Sequence, residues 1–466
     1  MKRVLLLAYY FPPIGGAGAQ RPVKFVRHLP SLGYEPVVIT GPGDSIGRWT
    51  PADETLTADI PAQTQVVRVP GPEPQGAGTW SARWGSRAER WLGLPSAWSR
   101  WWISGAVEAG SPFGDADVVY SWMSPYDSAE AALRLSRSIG KPWVADLGDP
   151  WALDEMMVFP SGLHRRLELR RMRRVLASAA AIVTTTAEAA NAVKEAFPEL
   201  ASKPIVSIPN GFDANDFEEP VPVRDDGVFR IVHTGYLHTE LGRQQRRTAA
   251  LHRFLGGETR GVDIMTRSHV YLLQAISRLI AEDASLAERI EVHLAGVLSE
   301  SDREVAALSP VVRLPGYLSH AESIKLMRSA DLLFLPMQNL PAGRRSTTVP
   351  GKTYEYLASG RPILAAIPDG DAREILHAAG NAVICQPNDV DGMVDGLRVQ
   401  VQRWSEGLPA PRPAHDVLGR FERRKLTEDL ARTLDDILGS AVPVPRGRLR
   451  ALSAIRRVSS YATLTR

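Results

Sequence analysis

Residues 347–366 read TTVPGKTYEYLASGRPILAA, and their reactive side chains come at spacings that suit an anionic ligand. Thr347 or Thr348 can cap a helix, Pro350 fits a first turn where its missing N–H removes nothing, and Gly360 supplies a left-handed end. These signals predict a helix of about three turns. Its first turn offers unpaired N–H groups, two threonine hydroxyls, Gly351 and Lys352 to a phosphate or diphosphate. Glu355, further in, can accept from both hydroxyls of a ribose diol through charge-assisted bonds. Tyr354, Leu357 and Ala358 share the spacing of a buried face, and residues 362–366 read as a short interior strand. Taken alone, the stretch fits equally an ordinary helix–strand unit with Lys352 and Glu355 in solvent.

The elements that must position it repeat one pattern. Residues 4–8 form an apolar strand, followed by a glycine loop, Pro12-Pro13-Ile14-Gly15-Gly16-Ala17-Gly18, a helix through Lys24 and Leu29, and a strand at 36–40. Strand, glycine loop, helix and strand open a doubly wound parallel sheet, and the loop lies at the carboxyl end, where ligands collect. The glycine spacing is not the dinucleotide G-x-G-x-x-G. Strands at 117–120, 142–146, 181–186 and 204–209 continue the series, and Asp146 and Asp149 stand at the cleft-facing end of one of them. Residues 218–223 read as a linker. A second strand–helix series opens at 229–236, is interrupted by an Arg-rich polar segment at 239–266 taken as an insertion, and resumes with a helix at 271–281. The expected fold is α/β, with two Rossmann-like doubly wound parallel-sheet domains facing across a cleft. Its limits are 1–222 for the first domain, 223–420 for the second and 421–466 for a last helix and basic tail.

Composition narrows the class. With 466 residues the chain is long for one core. Net charge is 55 − 52 = +3, too small to argue for nucleic acid. The single cysteine, Cys385, excludes an internal disulfide and a cysteine-built zinc site. No run is long and apolar enough to span a bilayer, and the expected location is cytoplasmic. Residues 80–102 alternate six tryptophans with arginines, the helix at 163–178 carries arginines on more than one face, and the tail at 446–466 is basic. These features permit attachment to the cytoplasmic face of an anionic membrane, although tryptophans packed on the domain and a solvated basic helix account for the same residues.

Five pieces in chain order carry a family resemblance: YYFPPIGGAGAQR near the start, DLGDPWA at 146–152, IPNGFD at 208–213, VHTGYL at 232–237 and VPGKTYEYLASGRPILA at 349–365. Together they resemble the nucleotide-sugar glycosyltransferases of GT-B architecture, close to the retaining family 4, over nearly the whole chain apart from the insertion and tail. The resemblance implies that Glu355 is the second glutamate of the E-x7-E signature and holds the donor ribose. Thr347 stands where that signature has its first glutamate. The resemblance further implies Arg267 on the diphosphate, Gly15 and Gly16 in the loop under the donor phosphates, and a final helix packed back on the first domain. The implied reaction transfers a sugar with retention to a glycan, lipid-linked or small-molecule acceptor, in cell-surface polysaccharide or glycolipid synthesis, without metal or cofactor. Asp149 and His164 are candidates for a catalytic group. Two other readings stay open: a sugar-nucleotide epimerase of the same fold, and a non-catalytic sugar-nucleotide-binding scaffold.

Overall fold

The computed structural model describes residues 1–43, 51–71, 96–220 and 224–439. The first sheet comprises β1 (Lys2–Leu7), β2 (Tyr34–Thr40), β3 (Gln65–Arg68), β4 (Val118–Trp122), β5 (Trp143–Asp146), β6 (Ala181–Thr184) and β7 (Ile205–Ser207), in the order β3-β2-β1-β4-β5-β6-β7. The second comprises β8 (Phe229–Thr234), β9 (Ile290–Ala295), β10 (Val312–Gly316), β11 (Leu332–Pro336), β12 (Ile363–Ala366) and β13 (Ala382–Cys385), in the order β10-β9-β8-β11-β12-β13. The strand pairs are parallel throughout, for example Leu5 with Val37 and Val119, and Leu333 with Ile363. The fold class read from the sequence is therefore the one observed.

Parallel strands covered on both faces must be apolar throughout. In β1, Leu5 and Leu7 pack into the core that holds Trp102 and Trp143, while Val4 and Leu6 pack into the core on the other face. That second core is completed by the last described helix, Arg423–Gly439, through Leu426, Leu430, Leu434 and Ile437. Burial of four such side chains is worth roughly 2 kcal/mol each before chain entropy is counted, enough to hold the helix on the first domain. The chain passes between the domains where Phe212 N–H donates to Phe421 O at 3.0 Å and Arg423 N–H to Phe212 O at 2.8 Å.

In each sheet the strand order reverses beside the first strand, between β1 and β4 and between β8 and β11. Ligands of open α/β sheets bind outside such reversals. Here the loops after β1 and β8 face each other.

Several expectations change. The helix at the opening stretch is only Lys352–Ala358, and its N-cap is Gly351 with no side-chain cap. Thr347 and Thr348 do not cap it, because their hydroxyls are engaged elsewhere. The segment 239–266, expected as an insertion, holds a helix, Thr239–Leu255, followed by a return in which Gln245 holds Val262 O and Ile264 N–H. Within the tryptophan–arginine stretch, residues 80–95 lie outside the described residues. Trp102 is fully buried and donates to Ser128, and Trp98 and Trp101 pack on the same core, so these three serve packing. The boundary at 222/223 and the tail at 446–466 also lie outside the described residues. Among the described residues no helix is long and apolar enough to cross a membrane.

Candidate functional site

A cavity of ≈ 230 Å³ opens between the two reversal points. Its second-domain wall comes from the loops after β8 and β9, the start of Lys352–Ala358 and the loop carrying Arg267. The first-domain wall comes from Gly16, Gln20, Arg21 and Asn210.

Lys352 Nζ lies 3.1 Å from His233 Nε2, and His233 Nδ1 lies 3.0 Å from Phe334 O. A carbonyl can only accept, so Nδ1 carries the proton and Nε2 accepts from Lys352. Burial, with Lys352 beside it, keeps His233 neutral by moving its pKa well below the usual range. Gly235 makes room for the ammonium, since a Cβ there would sit 3.0 Å from Nζ. Burial pushes Lys352 down to about 7, Arg267 pushes the same way, and Glu355 opposes them. A buried cation held this way gains from an anion placed against it.

Glu355 is 8% exposed, and its Oε1 has no hydrogen-bond partner. The nearest cationic group is His320 Nδ1 at 3.9 Å. His320 joins the domains: its Nε2 lies 2.9 Å from Asp216, its Nδ1 lies 3.3 Å from the Gln20 amide, and its backbone N–H donates to Asp53 at 2.9 Å. Burial disfavours the charged imidazole, but Asp216 and Glu355 raise His320 above its ordinary range. Arg21 enters from the first domain, tied to Asp146 at 2.7 Å and to Pro209 O at 2.9 Å, with Nη2 buried and without a partner.

The glycine loop closes this wall. Gly16 has φ 82, a conformation open to glycine. At Gly15 a Cβ would meet Asp53 Cβ at 2.6 Å and the Tyr317 hydroxyl at 2.8 Å. Gly16 lines the cavity, and Gly15 sits behind it.

Beyond Arg267 lies an acidic loop of the first domain. Trp151 adopts φ 52, strained for a bulky residue, and is held by stacking on Tyr126 and by donation to Glu168 at 2.8 Å. This fixes residues 149–156. Glu155 reaches across the cleft: Oε1 accepts from Gln338 at 2.8 Å and Ser346 at 2.7 Å, and Oε2 accepts from Thr347. Thr348 is buried beside Ser346 and Gln338. Arg267 Nη1 donates to Gln338 Oε1 at 3.4 Å. Burial chiefly lowers Arg267, while Asp149, Asp154 and Glu155 act to raise it. Burial and the charges of Asp149 and Glu155 push Asp154 up to about 8. Asp149 is an exposed residue, yet desolvation of its carboxyl and the charge of Glu155 raise it against the pull of Arg267.

The structure thus brings Gly16, Arg267, Gly351, Lys352 and Glu355 to one cavity and sets Asp149 beside Arg267. Thr347 and Thr348 serve the Glu155 contact. His164 sits in the first turn of the helix Gly162–Leu176, 2.7 Å from Ser161 Oγ, and does not line the cavity. The first-turn N–H groups of Thr353 and Tyr354 are engaged by Pro350 O and Gly351 O, so fewer face a ligand than expected. Sequence reasoning missed Glu155, His233 and His320. His233 lies in a quoted motif, VHTGYL; Glu155 and His320 carry no local signal.

Residues 263–402 match the family model described as glycosyl transferases group 1. No curated protein sequence matches the chain. Among solved structures, Anabaena Alr3699/HepE in complex with UDP and glucose is similar at 15% identity and TM-score 0.57, over 94% of this chain and 100% of that one. A glycosyltransferase from Rickettsia africae is similar at 13% identity and TM-score 0.59, over 94% and 99%. A UDP-N-acetylglucosamine 2-epimerase from Listeria monocytogenes, so described provisionally, is similar at 12% identity and TM-score 0.51, over 92% and 94%. At these identities the likeness establishes a shared fold, the two-domain GT-B arrangement.

Proposed function

We propose that the protein is a nucleotide-sugar-dependent glycosyltransferase. The observation that carries this reading is the cavity itself, where Lys352 and Arg267 converge beside Glu355 with its unpartnered buried oxygen. A diphosphate between the two cations meets fixed positive charge, and a ribose diol can donate to Glu355 Oε1. The match over residues 263–402 supports it, because it covers the segment that holds Arg267, Lys352 and Glu355.

Sugar transfer requires the bond between the anomeric carbon and the diphosphate oxygen to break. Lys352 and Arg267 stabilise the charge that develops on the leaving oxygen, and no metal is required in this scheme. The sugar extends from Arg267 towards the acidic loop. Glu155 takes the sugar-side role that a carboxylate at Thr347 would fill, since it already bonds the Thr347 hydroxyl from the opposite domain. Asp149 lies on the acceptor side. Transfer with retention, to a glycan, lipid-linked or small-molecule acceptor, completes the reading.

The test is release of nucleoside diphosphate from a panel of nucleotide sugars, with and without acceptor extracts. Glu355→Ala is expected to weaken UDP or cognate-diphosphate binding by about tenfold or more while the fold is retained. Unchanged affinity by calorimetry refutes the diol assignment, and activity abolished by EDTA and restored by magnesium refutes the metal-free scheme. The likeness to the Listeria protein favours epimerisation as the second reading. Interconversion of a nucleotide sugar without acceptor would select it.

A further inference from the structure

Exposed apolar side chains gather where two helices of the described structure meet. Six of the twelve large ones, Val158, Leu163, Leu167, Leu241, Leu251 and Phe254, belong to the helix Gly162–Leu176 with its approach and to the helix Thr239–Leu255, Leu241 alone standing at the far end of the second. The helices meet end to end across the two domains. Phe159 N–H donates to Gly257 O at 2.8 Å, and a Cβ on Gly162 would sit 3.2 Å from Gly256 O. Leu163, 61% exposed, follows Gly162, and Phe254, 87% exposed, precedes Gly256 by two residues. The apolar side chains therefore flank one junction.

Charge surrounds them. Helical spacing places Leu163, Leu167 and Arg170 on one stripe, and Arg247, Leu251 and Phe254 on another. Arg166, Arg170 and Arg247 are exposed. The acids of these segments are engaged by the protein: Glu168 accepts from Trp151, Glu240 accepts from Ser301, and the Glu258 side chain is 6% exposed. Two copies placed face to face would oppose arginine with arginine.

We propose that this two-helix face seats the protein on an anionic bilayer, with Phe254, Leu251, Leu163 and Leu167 entering the boundary between headgroups and acyl chains and the arginines meeting lipid phosphates. The face adjoins the acidic loop, since Phe159 follows Met156 by three residues and Met156 Sδ lies 3.4 Å from Arg267 Nη1.

Flotation of the full chain with phosphatidylcholine vesicles, with and without phosphatidylglycerol, tests this. Binding is expected only with phosphatidylglycerol and is expected to fall with salt. Phe254→Ser should weaken it on the order of tenfold, and Arg166→Gln or Arg170→Gln about fivefold each. Leu308→Ser, at an exposed leucine outside these helices, should leave it unchanged. Cys385 is the chain's one cysteine and is buried, so Leu251→Cys can carry an environment-sensitive dye selectively. Its emission should shift to the blue on anionic vesicles. Absence of binding, binding indifferent to Phe254→Ser and Leu163→Ser, an unshifted dye, or a dimer dissolved by Phe254→Ser each overturns the proposal. None of these readouts uses sugar transfer, so failure of the transferase reading leaves them intact.

Discussion

Lys352 offers a direct handle on the site, because an anion that binds beside it must change its protonation. Burial and Arg267 hold its ammonium near a pKa of about 7 in the unliganded protein. At pH 8 such a group carries its proton in roughly one molecule in ten. A diphosphate between Lys352 and Arg267 offsets the desolvation of the ammonium and the repulsion from Arg267, and returns the lysine towards its ordinary value. Binding at pH 8 should then take up roughly 0.9 proton, at pH 7 about 0.5, and at pH 6 about 0.1. Linkage turns uptake into affinity, so the dissociation constant should rise about fiftyfold between pH 7 and pH 9. Calorimetric titration with UDP in buffers of different ionisation enthalpy reads the proton number as a slope. Lys352→Met should abolish the slope and flatten the pH dependence. A slope near zero at pH 8 in the unaltered protein, or one that survives Lys352→Met, refutes the assignment of Lys352 to the diphosphate.

Two further predictions concern the acidic loop. Asp154 is raised to about 8, so between about pH 4 and pH 8 the folded chain binds a proton that the unfolded chain has released. Its contribution to stability therefore falls as pH rises through that window, by up to about 1.4 kcal/mol per unit, and Asp154→Asn should remove that slope. Denaturation midpoints at pH 5 and pH 7.5 check it, and equal slopes in both proteins count against it. Glu155→Gln keeps one oxygen for Gln338 and Ser346 but loses the charge that faces Thr347. It should lower turnover by about tenfold or more while leaving UDP affinity nearly unchanged. An equal loss in both places Glu155 on the nucleotide side instead.

The sheets were legible because a strand covered on both faces must be apolar throughout, and runs such as Val4–Leu7 and Leu332–Leu335 admit little else. Lys352 and Glu355 were legible because they lie three residues apart on one element. The start of that element was misread because Thr347 and Thr348, good caps by type, face Glu155, Ser346 and Gln338 instead of a helix end. The helix Thr239–Leu255, inside the segment expected as an insertion, gave no helical signal because it buries only Thr239, Gly242 and Gln245. Glu155 was invisible for a different reason. Its donors lie between 183 and 192 residues away, and one acidic residue in a loop carries no periodicity. His320 likewise gains its meaning only when Asp216, Gln20 and Asp53 meet it from the other domain.

That distribution bears on how the site works. Both rims of the cavity are tied by bonds between domains, His320 and Tyr317 to Asp53 at one end and Gln338, Ser346 and Thr347 to Glu155 at the other. In the proposed reading Lys352, Arg267 and Glu355 hold the nucleotide, and all three belong to the second domain, so a nucleotide can be held there without the first. The acidic loop belongs to the first, and meets Arg267 across the joined rims. A buried carboxylate oxygen without a donor, as at Glu355, costs about 1–3 kcal/mol, and a ligand hydroxyl relieves that penalty in the joined state, where the oxygen is shielded from water. Nucleotide affinity and arrival of the acidic loop are thereby coupled. Weakening the Asp53 end, remote from the sugar, should then lower affinity for the intact donor more than for the free diphosphate, because only the intact donor reaches Glu155.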